Sequence, residues 1–215
     1  RELGLDIKVI SLDDYYLPGK EMDIAMNGNP WNVPRGFPGS HSIDLLNKSL
    51  DIYLQSGVLS CPNFDKSLRN GKGDRSGWCE LKTKVLILEG WFVGCEPVSD
   101  LIKIDSSSER KINLSLSQDE KDYRILIQKS LVKYSKIWKK FDKLWHLKSS
   151  NFNNTILWKT QQEEEMINLK GSGLKGDDLS NFLRMIQTSI PQQSLSVINS
   201  DTTVEINQNR RINKL

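Results

Sequence analysis

Two short apolar runs in this chain end in acids. Ile7-Lys8-Val9-Ile10-Ser11-Leu12 is rich in β-branched residues and runs into Asp13-Asp14, and Val85-Leu86-Ile87-Leu88 stops at Glu89-Gly90-Trp91. Both read as strands, the second of the continuous kind that is covered on both faces of a parallel sheet. In an open α/β sheet, ligands bind at the carboxyl ends of the strands. Asp13 and Glu89 could therefore share one Mg²⁺, which takes one or two protein carboxylates and fills its octahedron with water and phosphate oxygens. Either could also accept the proton of a substrate hydroxyl during phosphoryl transfer. Taken alone, each acid reads better as the end of its strand or the cap of a helix.

Three other segments carry charge in usable patterns. Between Asn63 and Trp78, Lys66, Lys72 and Arg75 supply positive charge, Asp65 and Asp74 can orient those cations, and Gly71 and Gly73 let backbone approach an anion closely. Arg35-Gly36-Phe37-Pro38-Gly39-Ser40-His41 offers a guanidinium that can fork onto a carboxylate and a histidine, a residue type that more often makes structural hydrogen bonds. Lys159 sits on an expected helix and could reach a transferring phosphate, with Gln162 and Glu163 supporting it. On composition alone the first segment also describes a solvated loop, and the third reads better as a solvated helix face.

The elements that must position these groups alternate between strands and helices, which points to a parallel α/β sheet. After the first strand, residues 18–41 read as a loop rich in Gly, Pro and Asn. Ser42 should cap a helix carrying Ile43, Leu46, Leu50 and Tyr53, ended by Gly57. A short strand is expected at 58–61, then a polar loop over 63–78. Ser106-Ser107-Ser108 reads as loop. Ser117 and Glu120 make a capping box ahead of a long helix with the stripe Ile127, Leu131, Tyr134, Trp138, Phe141. A strand near 144–147, a charged helix over 155–169, a glycine-rich break at 171–176, a helix capped by Asp177 and stopped by Pro191, and a candidate strand at 203–206 complete the order. His146 falls in an apolar segment and reads as packing.

Composition bounds the rest. The 215 residues are 37% hydrophobic and 27% charged, with a net charge of +3, ordinary values for a globular protein. The basic residues are dispersed, with few interleaved aromatics, so a nucleic-acid partner is not expected. No run approaches the length needed to cross a bilayer. Cys61, Cys79 and Cys95 are an odd set without metal-site spacing, read as reduced thiols in a cytoplasmic setting.

In this order the segments resemble the D-glycerate 3-kinase family. The matching residues are Ile10-Ser11-Leu12-Asp13-Asp14-Tyr15-Tyr16; Asn29-Pro30 with the 35–41 segment, where Ser40 stands in a Thr position; Phe64-Asp65-Lys66-Ser67; Gly73-Asp74-Arg75; and Leu88-Glu89-Gly90-Trp91 with Gly94. Tyr134, Trp138, Phe141-Asp142, Trp158, Gln161-Gln162-Glu163 and the stretch from Gly171 to Phe182 extend the likeness over roughly residues 7–191. The resemblance implies an α/β P-loop kinase sheet flanked by helices, shared with uridine kinase and phosphoribulokinase. It also implies ATP-dependent phosphorylation of D-glycerate to 3-phosphoglycerate, a photorespiratory salvage step, with ATP and Mg²⁺ as cofactors. Under it Asp13 becomes the base near magnesium and Glu89 the Walker-B-type acid. Arg35 and His41 become grips for the glycerate carboxylate and hydroxyls, and Lys66, Asp74 and Arg75 become substrate or phosphate contacts.

Two departures stand out. Lys159 occupies a position where the family carries Arg, which keeps charge but loses the fork. The Gly-x-x-x-x-Gly-Lys-[Ser/Thr] loop that cradles phosphates does not occur in the sequence. In the family that loop precedes the strand that begins here at Ile7. The implied layout is thus a kinase domain over 1–191 lacking the first strand and P-loop, with Arg1–Asp6 as the tail of the following helix, and a polar tail over 192–215. Such a chain should turn over poorly. The alternatives are a P-loop kinase for a nucleoside or sugar phosphate, and a non-catalytic nucleotide-binding remnant.

Overall fold

The computed structural model describes residues 4–101, 115–171 and 173–214. The first acid-ending run forms β1 (Ile7–Ser11) and the second forms β4 (Val85–Glu89). They pair in parallel from Ile7↔Val85 to Ser11↔Glu89, so the two acidic ends lie side by side. Ile10 and Leu88 turn into the core, while Ile7, Val9, Val85 and Ile87 stay partly open to solvent on the opposite face. A second parallel pair joins β5 (Trp145–Ser149) to β6 (Thr202–Ile206), with β7 (Ile212–Lys214) antiparallel at its edge. The expected parallel pairing is therefore present in two separate pieces. The stretch read as a tail supplies two of the three strands of the second.

Between β1 and β4 come α1 (Gly19–Met26), α2 (Ile43–Ser56) and the antiparallel hairpin β2 (Val58–Asp65)–β3 (Asp74–Lys82). Two expectations are corrected here. The 18–41 loop contains α1, whose first turn follows Pro18 and whose Gly19 N–H is capped by Asp74 Oδ1 at 2.9 Å. The polar 63–78 loop is mostly strand, and only residues 66–73 form the turn. Both were hidden by Pro and Gly residues that normally punctuate structure.

Helix α3 (Gln118–Trp138) begins at the expected capping box, in which Ser117 and Glu120 satisfy each other's backbone donors. Its stripe is buried as its spacing predicts: Ile127, Leu131, Tyr134 and Trp138 all enter the core beside Leu12, Tyr15, Trp31, Phe37 and Phe92. α4 (Asn153–Lys170) ends at Gly171, and α5 (Gly176–Thr188) is followed by the short α6 (Gln192–Ser196). The α5 cap position is Lys175, not Asp177. Asp177 lies in the first turn, where its charge complements the positive end of the helix dipole. The Ser106–Ser108 loop lies outside the described residues. So do residues 1–3 of the expected helix tail, and Gly4–Asp6 are not helical.

Candidate active site

β1 does not simply stop. Ser11 caps a single 3-10 turn, Leu12–Tyr15, accepting from the Asp13 N–H while Asp14 accepts from the Ser11 N–H. This turn drives Leu12 and Tyr15 into the core and leaves the Asp13 carboxylate at the rim. Lys66, in the turn of the β2–β3 hairpin, donates to Asp13 Oδ2 at 2.7 Å. Burial pushes the Asp13 pKa up. The Lys66 ammonium outweighs it, with smaller help from His41 and the Tyr16 hydroxyl, and holds the carboxyl below its usual range.

The segment after Tyr15 pairs with the end of the 35–41 loop through Leu17 N–H to the Ser40 carbonyl, Ser42 N–H to the Tyr15 carbonyl, and the Tyr16–His41 bridge. His41 is thereby stacked under Tyr16, ring centroids 4.4 Å apart. The Trp91 indole N–H, just past Glu89, reaches the Gly36 carbonyl at 2.6 Å and ties the end of β4 to the same loop. Arg35 donates to the carbonyls of Gly71 and Lys72 at 2.8 and 2.7 Å and lies over Phe64. Burial lowers its pKa, opposed by Tyr16, Asp13 and Glu163, so the guanidinium lies within electrostatic reach of both acids.

Glu163 of α4 is buried, accepts the Leu174 N–H at 2.8 Å and pairs with Lys159. Lys159 also lies over the Phe182 ring. Burial raises the Glu163 pKa, but Lys159, the Leu174 N–H and Lys66 together hold it low. Asp13, Lys66, Arg35, His41 and the Lys159–Glu163 pair thus form one electrostatically connected group. Gln162 stays exposed at its margin, 3.4 Å from Lys159.

Asp74 and Arg75 make bonds within the fold, and Glu89 stands open to solvent. Asp74 is occupied by the Gly19 and Arg75 N–H groups, so it holds the hairpin to α1. Arg75 donates from Nε to the Tyr16 carbonyl at 3.3 Å and has one buried terminal nitrogen without a partner among the described residues. Glu89 is exposed opposite Ser11. No cage of three or more His, Cys, Asp or Glu side chains forms among the described residues. Two carboxylates on neighbouring strand ends suit instead an ion held largely by water and phosphate oxygens, so the donors present fit Mg²⁺.

A second feature escaped the sequence reading. A cavity of about 390 Å³ at the carboxyl ends of β5 and β6 is lined by Ser150, Asn151, Asn154, Asn207, Gln208 and Asn209. Trp158 donates from its indole to the Gln208 carbonyl and carries Arg210 over its ring. The signal was available, since a cluster of amides follows two candidate strands. Asn154 and Lys159 share α4, five residues or about 7.5 Å apart along its axis.

Comparison with known proteins follows the same line. A D-glycerate 3-kinase from Cryptococcus neoformans superposes with a TM-score of 0.83 at 24% identity, covering 100% of this chain and 80% of that one. The chain has the D-glycerate 3-kinase fold. Among curated proteins it is 30% identical over 185 residues to the "Uncharacterized kinase mug58" of Schizosaccharomyces pombe, covering 80% of this chain and 65% of that protein. It is 28% identical to the "Probable ATP-dependent kinase TDA10" of Saccharomyces cerevisiae, covering 94% and 73%. The chain thus spans just under two thirds of the fission-yeast kinase. No family model matches. The resemblance read from the motifs and the α/β fold with parallel strands and flanking helices are both borne out. Among the described residues no helix is long and apolar enough to cross a membrane.

Proposed function

We propose that this protein is an ATP-dependent kinase that phosphorylates a hydroxyl of a small hydroxy acid, D-glycerate to 3-phosphoglycerate. The observation that carries the reading is the group around Asp13, in which one ionised carboxylate stands among Lys66, Arg35 and the Lys159–Glu163 pair. Phosphoryl transfer needs positioning and charge stabilisation more than covalent chemistry. Asp13 would accept the proton of the attacking hydroxyl, and Lys66 and Lys159 would meet phosphate charge. Arg35, His41 and Arg75 would orient the acid, with Gln162 beside Lys159. Asp13 and Glu89 would hold Mg²⁺, and bound Mg·ATP supplies the phosphoryl group.

The amide cavity suits the nucleotide base. Asn and Gln side chains offer both donors and acceptors, and α4 leads from Asn154 toward Lys159, the direction that a triphosphate would follow. No Gly-x-x-x-x-Gly-Lys-[Ser/Thr] occurs in the 215 residues, so these residues by themselves should turn over slowly.

The test is incubation of the protein with Mg·ATP and a panel of D-glycerate, nucleosides and sugar phosphates, with products resolved by mass spectrometry. Formation of 3-phosphoglycerate is expected. Phosphorylation of another compound with none of glycerate would overturn the substrate. Tight Mg·ATP binding without turnover on any acceptor would overturn the enzyme.

A further inference from the structure

Tyr134 is buried on the apolar stripe of α3, and its ring packs edge-on against His41 and Phe92. Its hydroxyl, however, makes two polar contacts of different sense. It accepts the Gly39 N–H at 3.0 Å and lies 2.8 Å from His41 Nδ1. The His41 backbone N–H acts on the same oxygen in the same sense as Gly39. With the Gly39 N–H already donating to its oxygen, the phenol has its own proton left to give, and among the described residues the receiver in reach is His41 Nδ1. The Ser40 hydroxyl, 3.4 Å from the same ring nitrogen, does not compete with the phenol as its donor, because it gives its proton to the Phe37 carbonyl at 2.7 Å.

The tautomer of a neutral histidine is set by the bond that its other nitrogen makes. A ring accepting at Nδ1 carries its proton on Nε2. Burial pushes the His41 pKa down to about 3 despite the pull of Asp13, so the ring is neutral. His41 is 5% exposed, and its Nε2 is buried with no protein partner among the described residues. Leaving such a donor unmatched costs about 1–3 kcal/mol, a burden that folded proteins carry mainly where a ligand or water completes the bond. The ring lies under Tyr16 and within electrostatic reach of Asp13, so it stands beside the acid cluster.

We infer that Tyr134 is a positioning residue that locks His41 as the Nε2–H tautomer, so that this proton is given to an oxygen of the acceptor substrate. The inference rests on the reading of the group around Asp13 as the acceptor site. Gly39, Tyr134 and His41 would act as a one-way relay of hydrogen bonds from the backbone to the substrate.

Nitrogen-15 spectra of the imidazole groups test it directly, with His146→Gln used to assign the two histidines. The wild-type protein should show His41 protonated on Nε2 alone, unchanged between pH 8 and pH 5. Tyr134→Phe should bring in the Nδ1–H form while keeping the circular dichroism spectrum. D-glycerate should shift the Nε2–H signal, and Tyr134→Phe should weaken glycerate binding about tenfold. In a His41→Gln background, where no tautomer exists to choose, Tyr134→Phe should add little. A wild-type His41 protonated on Nδ1 overturns the inference whatever the substrate proves to be. So does glycerate binding that leaves the Nε2–H signal untouched. If Tyr134→Phe does not fold, the wild-type spectrum and the contrast of His41→Gln with His41→Ala decide, since the Gln amide keeps a donor and should bind more tightly. If glycerate does not bind the wild type at all, the proposed substrate fails and the tautomer result stands separately.

Discussion

Gly71 and Gly73 both lie in the hairpin turn that carries Lys66, and both have positive φ, +87° and +79°. Substituting either with Ala forces a side chain into a backbone region that costs about 1–2 kcal/mol. The two positions differ in what the new methyl meets. At Gly71 nothing lies within 4 Å, whereas at Gly73 it would stand 2.6 Å from Phe64 Cζ and 3.3 Å from Arg35 Nη1. Phe64 must then swing away. That breaks its edge contact with Tyr16, centroids 5.0 Å apart, and its place under the Arg35 guanidinium. These contacts are worth about 0.5–1.5 and 0.5–1 kcal/mol. Gly73→Ala should therefore destabilise by about 2–4 kcal/mol and Gly71→Ala by about 1–2 kcal/mol. At roughly 2–4 °C per kcal/mol for a chain of this size, the Gly73 variant should melt several degrees below the Gly71 variant. Urea unfolding of both supplies the free energies. Because Arg35 is held by the carbonyls of Gly71 and Lys72, Gly73→Ala should also raise KM for the acceptor. Equal losses at the two positions would refute the claim that the turn is packed onto Phe64 and Arg35.

Three other outcomes follow from the same geometry. Lys66 holds the Asp13 pKa down against burial, so in Lys66→Ala burial dominates, the pKa rises, and the acid limb of the kcat/KM profile should move to higher pH; an unmoved limb would show that Asp13 is not the base. Glu120 is 4% exposed; burial raises its pKa, but Arg184, the Ser117 N–H and Thr188 bring it down to about 2. A folded value below the unfolded one of about 4.3 means stability that is present at neutral pH and lost as pH falls from about 5 to 2, on the order of 3 kcal/mol. Glu120→Gln should flatten that part of the pH–stability curve, measured by urea midpoints. Finally, Cys61 and Cys79 face each other across β2 and β3 with sulfurs 2.8 Å apart. A small-molecule disulfide should join them: the more accessible Cys79 displaces one thiol from the reagent, and Cys61 displaces the second. Peptide mapping without reductant should find the cross-link in the wild type and lose it in Cys79→Ser.

How far the sequence speaks depends on whether a residue's role is local. β1, β4, β5 and α3 are legible because apolar runs and a period near 3.6 report directly which face is buried. The Ser117–Glu120 box is legible because both partners lie within one turn. α1 is not, because its cap, Asp74, comes from 55 residues away. The β2–β3 ladder is hidden because Pro62 and Gly77 argue against strand on local grounds and are accommodated beside a bulge at Asn63–Phe64. The site divides the same way. Asp13 and Glu89 announce themselves by ending strands, and Lys66 by its motif. Glu120 reads as a cap, yet the same carboxylate also takes Arg184, Thr188 and the Trp31 indole. Tyr134 reads as core, and by its ring it is core. Periodicity sees that ring and not the hydroxyl, which meets His41, 93 residues earlier in the chain. A buried tyrosine satisfies the hydrophobic pattern whether its oxygen is idle or directs a neighbour's proton, so the pattern cannot separate the two. The bond partners of that oxygen can.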